Sequence, residues 1–255
     1  MSKGARGSPP RPGRIAAPPV GLTAPEVLAL LEPLYGPFRR PRSDPVSELV
    51  FTILSQHTSD VNAQRALQRL RERYGSWEAV AQADPEGIAE CIYLGGLSRV
   101  KAPRLKAVLN RIQELRGSLE LDSLRELPLE EAKAWLRSLP GVGPKTAAVV
   151  LSFALGMPAM PVDTHVHRVA RRLGLIGPKT SAEEAHQVLE AMVAPEQVLP
   201  FHVYFITHGR QVCKAQRPLC RQCVLARGCP SRPLFEAGVA GGKAPSRSTP
   251  LERKG

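Results

Sequence analysis

No apolar run in this chain approaches the length that crosses a bilayer, although 43% of its 255 residues are hydrophobic. A membrane-spanning role is excluded, and a soluble globular protein is expected. Acidic residues are scarce beside basic ones, 23 Asp and Glu against 35 Lys and Arg, for a formal net charge of +12. That shortage points to a polyanionic partner, with nucleic acid the first candidate. Charge does not choose between DNA, RNA and an anionic membrane surface, and a merely solvated basic surface stays open. Sustained alternation with β-branched residues between turn dipeptides is missing, which excludes a sheet fold. Cysteine is rare outside one stretch. Cys91 stands alone, whereas Cys213, Cys220, Cys223 and Cys229 fall within seventeen residues. No apolar signal-like segment follows Met1, so a disulfide framework is not expected. In a reducing compartment, four clustered thiols point to a metal.

Residues 1–20 hold four basic residues, no acidic ones and many prolines and glycines. A flexible basic arm is expected there, running on to about residue 23, because such a composition cannot offset the entropy of ordering. A transit peptide is the competing reading, disfavoured because the prolines spoil the amphipathic helix it needs. Residues 236–255 read as a second loose tail. Between the tails the signals are helical. Thr23 with Glu26 resembles a capping box before Pro25–Tyr35, and Asp44-Pro45 places a cap and a first-turn proline before Val46–Leu54. Asp84-Pro85 repeats that signal before Ile88–Tyr93, and Ser181 with Glu184 opens a helix reaching Val193. The predicted class is all-α with short connections.

The run Leu139-Pro-Gly141-Val142-Gly143-Pro144-Lys145-Thr-Ala-Ala carries chemistry. Two glycines flanking one apolar residue make a tight turn whose amides can face outward with no Cβ in the way. Pro144 then opens a helix, adding the amides of a first turn to the same positive end. Such a turn grips a phosphate and reads no sequence; an ordinary αα corner is the plainer alternative. Lys145 stands at the mouth of a helix apolar nearly all round, hence a buried one. Desolvation and the positive helix end both depress an amine's pKa, which suits a nucleophile. A surface lysine holding phosphate as a point charge stays open. Eighteen residues on, Asp163 in Val162-Asp-Thr-His165 caps the next helix, and a rigidly held cap can be shared with a substrate.

The hairpin run resembles the helix-hairpin-helix of the DNA glycosylase superfamily, and its pairing with Val162-Asp-Thr-His at this separation resembles endonuclease III. The resemblance implies that Lys145 attacks the sugar C1′ and expels a damaged base, with Asp163 helping to deprotonate it and stabilising positive charge on the sugar. A Schiff base then acidifies the C2′ proton, and β-elimination cuts the strand.

The spacing C-x6-C-x2-C-x5-C from Cys213 to Cys229 leaves a [4Fe–4S] cube and a structural zinc both open. The same spacing at the same end of the chain resembles endonuclease III and the adenine glycosylases, which implies a [4Fe–4S] cluster. Residues 197–235 hold six Lys or Arg and no acid, so a DNA-backbone clamp is expected there. Flipping a nucleotide from a duplex leaves a gap that a side chain must fill. One plug loop of the family resembles Gly95-Gly96-Leu97-Ser98-Arg99-Val100-Lys101-Ala102, nominating Leu97 as a wedge; the other resembles Leu54-Ser55-Gln56-His57-Thr58-Ser59-Asp60. The family pattern carries glutamine one position later, where this chain has His57 after Gln56, and that departure bears on opposite-base preference. A core leucine and a solvated loop histidine are the plainer readings of Leu97 and His57. Gly141, Val142, Gly143, Gln56 and His165 complete the expected DNA-binding set.

The resemblance covers roughly residues 24–230 and implies two all-α domains with DNA in the cleft between them. A six-helix barrel is expected over 38–157, and an iron–sulfur domain over 24–37 together with 158–235. The expected activity is removal of oxidised pyrimidines with cleavage at the abasic site. The partner is double-stranded DNA carrying damaged pyrimidines or abasic sites, with no membrane, and the chain is expected to be a monomer. The lysine at the hairpin disfavours an adenine glycosylase. A thymine or uracil mismatch glycosylase, a non-catalytic DNA-binding module and a zinc-ribbon regulator are the alternatives. A cytoplasmic, nucleoid-associated location is expected for a bacterial chain, with nuclear and mitochondrial placement left open.

Overall fold

The computed structural model describes residues 21–40 and 43–240; the expected arm over 1–20 and most of the expected tail lie outside the described residues. Every regular element among them is helical. Helix α1 (Ala24–Tyr35) opens where Glu26 reaches back to accept the Thr23 N–H at 2.8 Å and its hydroxyl at 2.7 Å. Helix α2 (Pro45–Leu54) follows Asp44, whose carboxylate accepts the Ser47 N–H at 2.8 Å. Pro45 sits in the first turn, where no backbone donor is missed. Helices α3 (Asp60–Tyr74), α4 (Trp77–Gln82) and α5 (Pro85–Ile92) are capped by Ser59, Ser76 and Asp84. The long α6 (Ser98–Arg116) and α7 (Leu129–Arg137) lead to α8 (Pro144–Val149). The turn after α8 widens to π-helical over Val150–Ala154, where the Ser152 hydroxyl donates to the Ala148 carbonyl at 2.7 Å.

Four helices follow: α9 (Thr164–Leu173), α10 (Ala182–Glu190), α11 (Val198–Gln211) and α12 (Arg232–Ala240). Two expectations need correcting. The helix opened by Ser181 stops at Glu190 rather than Val193, because Pro195 holds the preceding Ala194 extended at ψ 151°. The stretch 236–240, expected to be loose, continues α12.

Two cores divide the chain. Helices α2 to α8 close around Leu49, Ile53, Leu70, Ile88, Leu105 and Leu109, a cluster that ends at Ala159. The next residue, Met160, belongs to the second core, with Val166, Leu189, Phe201 and Phe205. Helix α1 joins this second core through Val27, Leu28 and Leu31, so the chain leaves it and returns. Lys133 of α7 and Glu190 of α10 connect the halves at 2.7 Å, and Glu190 also accepts the Met160 N–H at 2.9 Å.

Candidate active site

The two halves enclose an open cleft of about 810 Å³. Its first wall is the loop after α2 with Asp60 at the start of α3, its second the start of α9 and the end of α11, and Lys145 stands between. Lys145 lies in the first turn of α8, partly enclosed, with no hydrogen-bond or ion-pair partner within 4.0 Å among the described residues. Burial pushes its pKa below the ordinary lysine value; Asp163, Asp60 and Glu48 oppose that shift and Arg210 adds to it. Asp163 precedes α9, and its Oδ1 accepts the His165 and Val166 N–H groups, both at 2.8 Å. The cap therefore occupies one carboxylate oxygen, and Oδ2 accepts no hydrogen bond among the described residues. A free amine of depressed basicity and a fixed carboxylate face one cavity, which equips the cleft for nucleophilic attack on an electrophilic carbon.

The hairpin stands as the glycines demand. Gly141 takes φ 74°, a left-handed angle that glycine adopts without strain. Val142 turns its side chain into the core and gives its N–H to the Leu139 carbonyl at 3.2 Å. Val142 thus anchors the turn, while Gly141 and Gly143 are exposed residues whose N–H groups have no backbone acceptor among the described residues. Leu97 is 55% exposed with φ 52°, so it is not a core leucine. His57 is exposed at φ 57°, while Gln56 turns to accept from Arg104 Nη1 at 3.1 Å. His165 lines the cleft and its Nδ1 accepts from Arg168 Nη2 at 3.1 Å.

Three further residues at or near the cleft were given no role by the sequence. Asp60 pairs with Arg210 at 3.0 Å, joining α3 to α11 across the mouth. From the sequence Asp60 is only an acid after a serine cap, and its partner lies 150 residues away. Arg168 reaches the Gly209 carbonyl at 2.9 Å and the Cys213 carbonyl at 3.1 Å, tying α9 to the cysteine loop. His202 is enclosed beneath Asp163, donating to the Pro161 carbonyl at 2.7 Å, and burial pushes its pKa down to about 4.

Cys213, Cys220, Cys223 and Cys229 line a single cavity against Val169, Leu173 and Leu225. Burial pushes the Cys223 thiol up to about 11 and raises Cys220 and Cys229 as well. Arg172 donates to Cys213 Sγ at 3.3 Å, and His208 Nε2 lies 3.4 Å from Cys223 Sγ with Tyr35 Oη at its other nitrogen, 3.1 Å away. Among the described residues, no three His, Cys, Asp or Glu side chains converge closely enough to hold one ion.

This all-α arrangement, with hairpin, lysine and capping aspartate on one cleft, matches the HhH-GPD superfamily of base excision DNA repair proteins over residues 50–195, and the chain belongs to that superfamily. The chain is 36% identical to endonuclease III of Thermotoga maritima over 193 residues, 76% of this chain and 86% of the Thermotoga protein. To endonuclease III of a Synechocystis strain it is 36% identical over 211 residues, 82% of this chain and 92% of that one. A solved non-covalent endonuclease III–DNA complex aligns with a TM-score of 0.72 at 29% identity, covering 85% of this chain and 99% of that one. Within the superfamily the chain therefore falls in the endonuclease III family of DNA glycosylases with AP lyase activity.

Proposed function

We propose that the protein removes oxidised pyrimidines from duplex DNA, with Lys145 as nucleophile, and cuts the strand at the abasic site it creates. The observation carrying this reading is the placement of Lys145, unpartnered and lowered in basicity, on the same cleft as the free Oδ2 of Asp163. Outward amides at Gly141 and Gly143 hold a phosphate beside the cleft. Leu97 enters the duplex as the nucleotide leaves it, with Gln56 and His57 facing the orphaned base and His165 the flipped nucleotide's surroundings. The neutral amine of Lys145 then attacks C1′. The bond from C1′ to the base breaks, the base leaves with the electron pair, and Asp163 stabilises positive charge on the sugar and takes up a proton from the amine. The C1′–O4′ bond then opens, the ring oxygen taking back the proton held by Asp163, and leaves a C1′ iminium that acidifies the C2′ proton; loss of that proton to water forms the C2′–C3′ double bond and breaks the C3′–O bond, expelling the 3′ phosphate.

The four cysteines fit a [4Fe–4S] cluster better than one zinc ion. They surround a cavity without converging on a point, and a cube gives each thiolate its own iron. Bound there, the cluster supplies rigidity: Arg168 and Arg172 hang from the Cys213 segment and so fix the His165 wall. The basic residues of this loop, Lys214, Arg217, Arg221 and Arg227, face phosphate as fixed cations.

The test is borohydride trapping on a duplex carrying thymine glycol or one abasic site. Lys145→Ala is expected to lose the covalent adduct and keep duplex binding, since the hairpin amides are untouched. Trapping at the wild-type level would assign the nucleophile to another amine.

A further inference from the structure

Lys101 on α6 is 2% exposed and takes no part in the chemistry proposed above. Its ammonium donates to the Leu54 and Gly95 carbonyls, both at 2.7 Å. Leu54 ends α2, two residues before Gln56, and Gly95 stands two residues before Leu97. One buried cation is thus bonded to the roots of both loops that carry the candidate plugs. An apolar side chain would fill a barrel wall at a lower desolvation cost, so packing alone does not account for a lysine here.

Both loops need holding. His57 and Leu97 are two of only three non-glycine residues with positive φ among the described residues, at 57° and 52°. Backbone strain of this kind persists where the surroundings over-determine it. One turn further along α6, Arg104 donates to Gln56 Oε1 at 3.1 Å, and its stem lies so close to Gly141 that an added Cβ there would stand 2.7 Å from Arg104 Cδ. The same side of α6 therefore touches both plug loops and the phosphate-gripping hairpin.

We propose that Lys101 is a positioning residue for nucleotide flipping, bonding the 55–59 and 93–97 loops into one register so that Leu97 and the Gln56–His57 pair enter the duplex together. The inference rests on the flipping reading of the cleft. It separates flipping from chemistry: the loops matter for a paired lesion and not for an abasic site that is already unpaired.

Two variants test it. Lys101→Met removes both bonds, and Lys101→Gln keeps a neutral donor that reaches less far. In each, single-turnover excision of thymine glycol from duplex is expected to fall roughly 10–100-fold, the scale for a small misplacement of reacting groups. Borohydride trapping on a single-stranded abasic oligonucleotide is expected to stay at the wild-type level. Amide hydrogen exchange is expected to quicken at 55–59 and 93–97 while the helices of the first core keep their protection. Unchanged exchange at the two loops in Lys101→Gln, or equal losses on the duplex and single-stranded substrates, would overturn the assignment. Lys101→Gln decides alone if Lys101→Met does not fold. A wild-type chain that excised no thymine glycol would count against the functional reading; the exchange experiment uses no substrate and judges the tether separately.

Discussion

Lys133 Nζ lies 2.7 Å from Glu190 Oε1 and 3.0 Å from Oε2, a two-pronged bridge that ties the helix of one core to the helix of the other. Both side chains are mostly enclosed, 15% and 19% exposed; Lys133 also reaches Glu130 at 2.8 Å, so it is the Glu190 carboxylate that depends on the bridge. Lys133→Met strands the Glu190 carboxylate and is expected to cost on the order of 3 kcal/mol in denaturant unfolding. Adding Glu190→Gln, which keeps an acceptor for the Met160 N–H, is expected to restore most of it. A double variant no more stable than the single one would show that the pair is not coupled.

Asp163→Asn separates cap from charge. The amide oxygen still accepts the two α9 N–H groups, so the fold is expected to hold, while excision falls about 10²–10⁴-fold with the loss of the base. The pH profile carries a sign. Only the neutral amine attacks, so the rate rises with pH through the Lys145 pKa, already below the ordinary lysine value through burial. Asp163 raises that pKa, so removing its charge is expected to move the rising limb to lower pH even as the plateau drops. A limb that moves to higher pH would show that Asp163 does not act on Lys145 in this way.

Leu97→Ala removes a side chain that is 55% exposed, and stability is expected to change by less than about 0.5 kcal/mol. Excision from duplex is expected to weaken by about 1–3 kcal/mol, the size of an apolar contact against nucleic acid. Equal weakening on undamaged duplex would remove Leu97 from the flipping step.

Purified protein is expected to be yellow-brown, with broad absorbance near ~400 nm from thiolate-bound iron. Cys223→Ser is expected to bleach it and to loosen the second core, read as faster hydrogen exchange in α9 and α11, while α2 to α7 keep their protection. Metal analysis returning one zinc and no iron would reject the cluster.

Much of this architecture is legible in short stretches of sequence. Asp44-Pro45, Asp84-Pro85 and Ser181 with Glu184 announce helix starts because caps act within one turn. Gly141 announces the hairpin because a left-handed angle narrows the choice of residue. What the sequence hides is non-local. Lys101 reads as one more basic residue beside Arg99, and only the fold brings Leu54 and Gly95 to it. Lys133 and Glu190 are 57 residues apart, and His202 looks like a polar break in α11 until Pro161 is seen against it. Leu97 could be read as core or wedge, since a leucine after two glycines carries no mark of its exposure.

The order of synthesis and the order of packing are opposed at α1. Its apolar stripe, Val27, Leu28 and Leu31, finds its partners only among residues 160–225, while the first core is complete at Ala159. On a ribosome the opening helix is made first and docks last, after α11 emerges. Between completion of the first core and emergence of α11 the nascent chain therefore carries a finished barrel beside a helix whose greasy side has nothing to cover it, the state in which a holdase chaperone finds its grip.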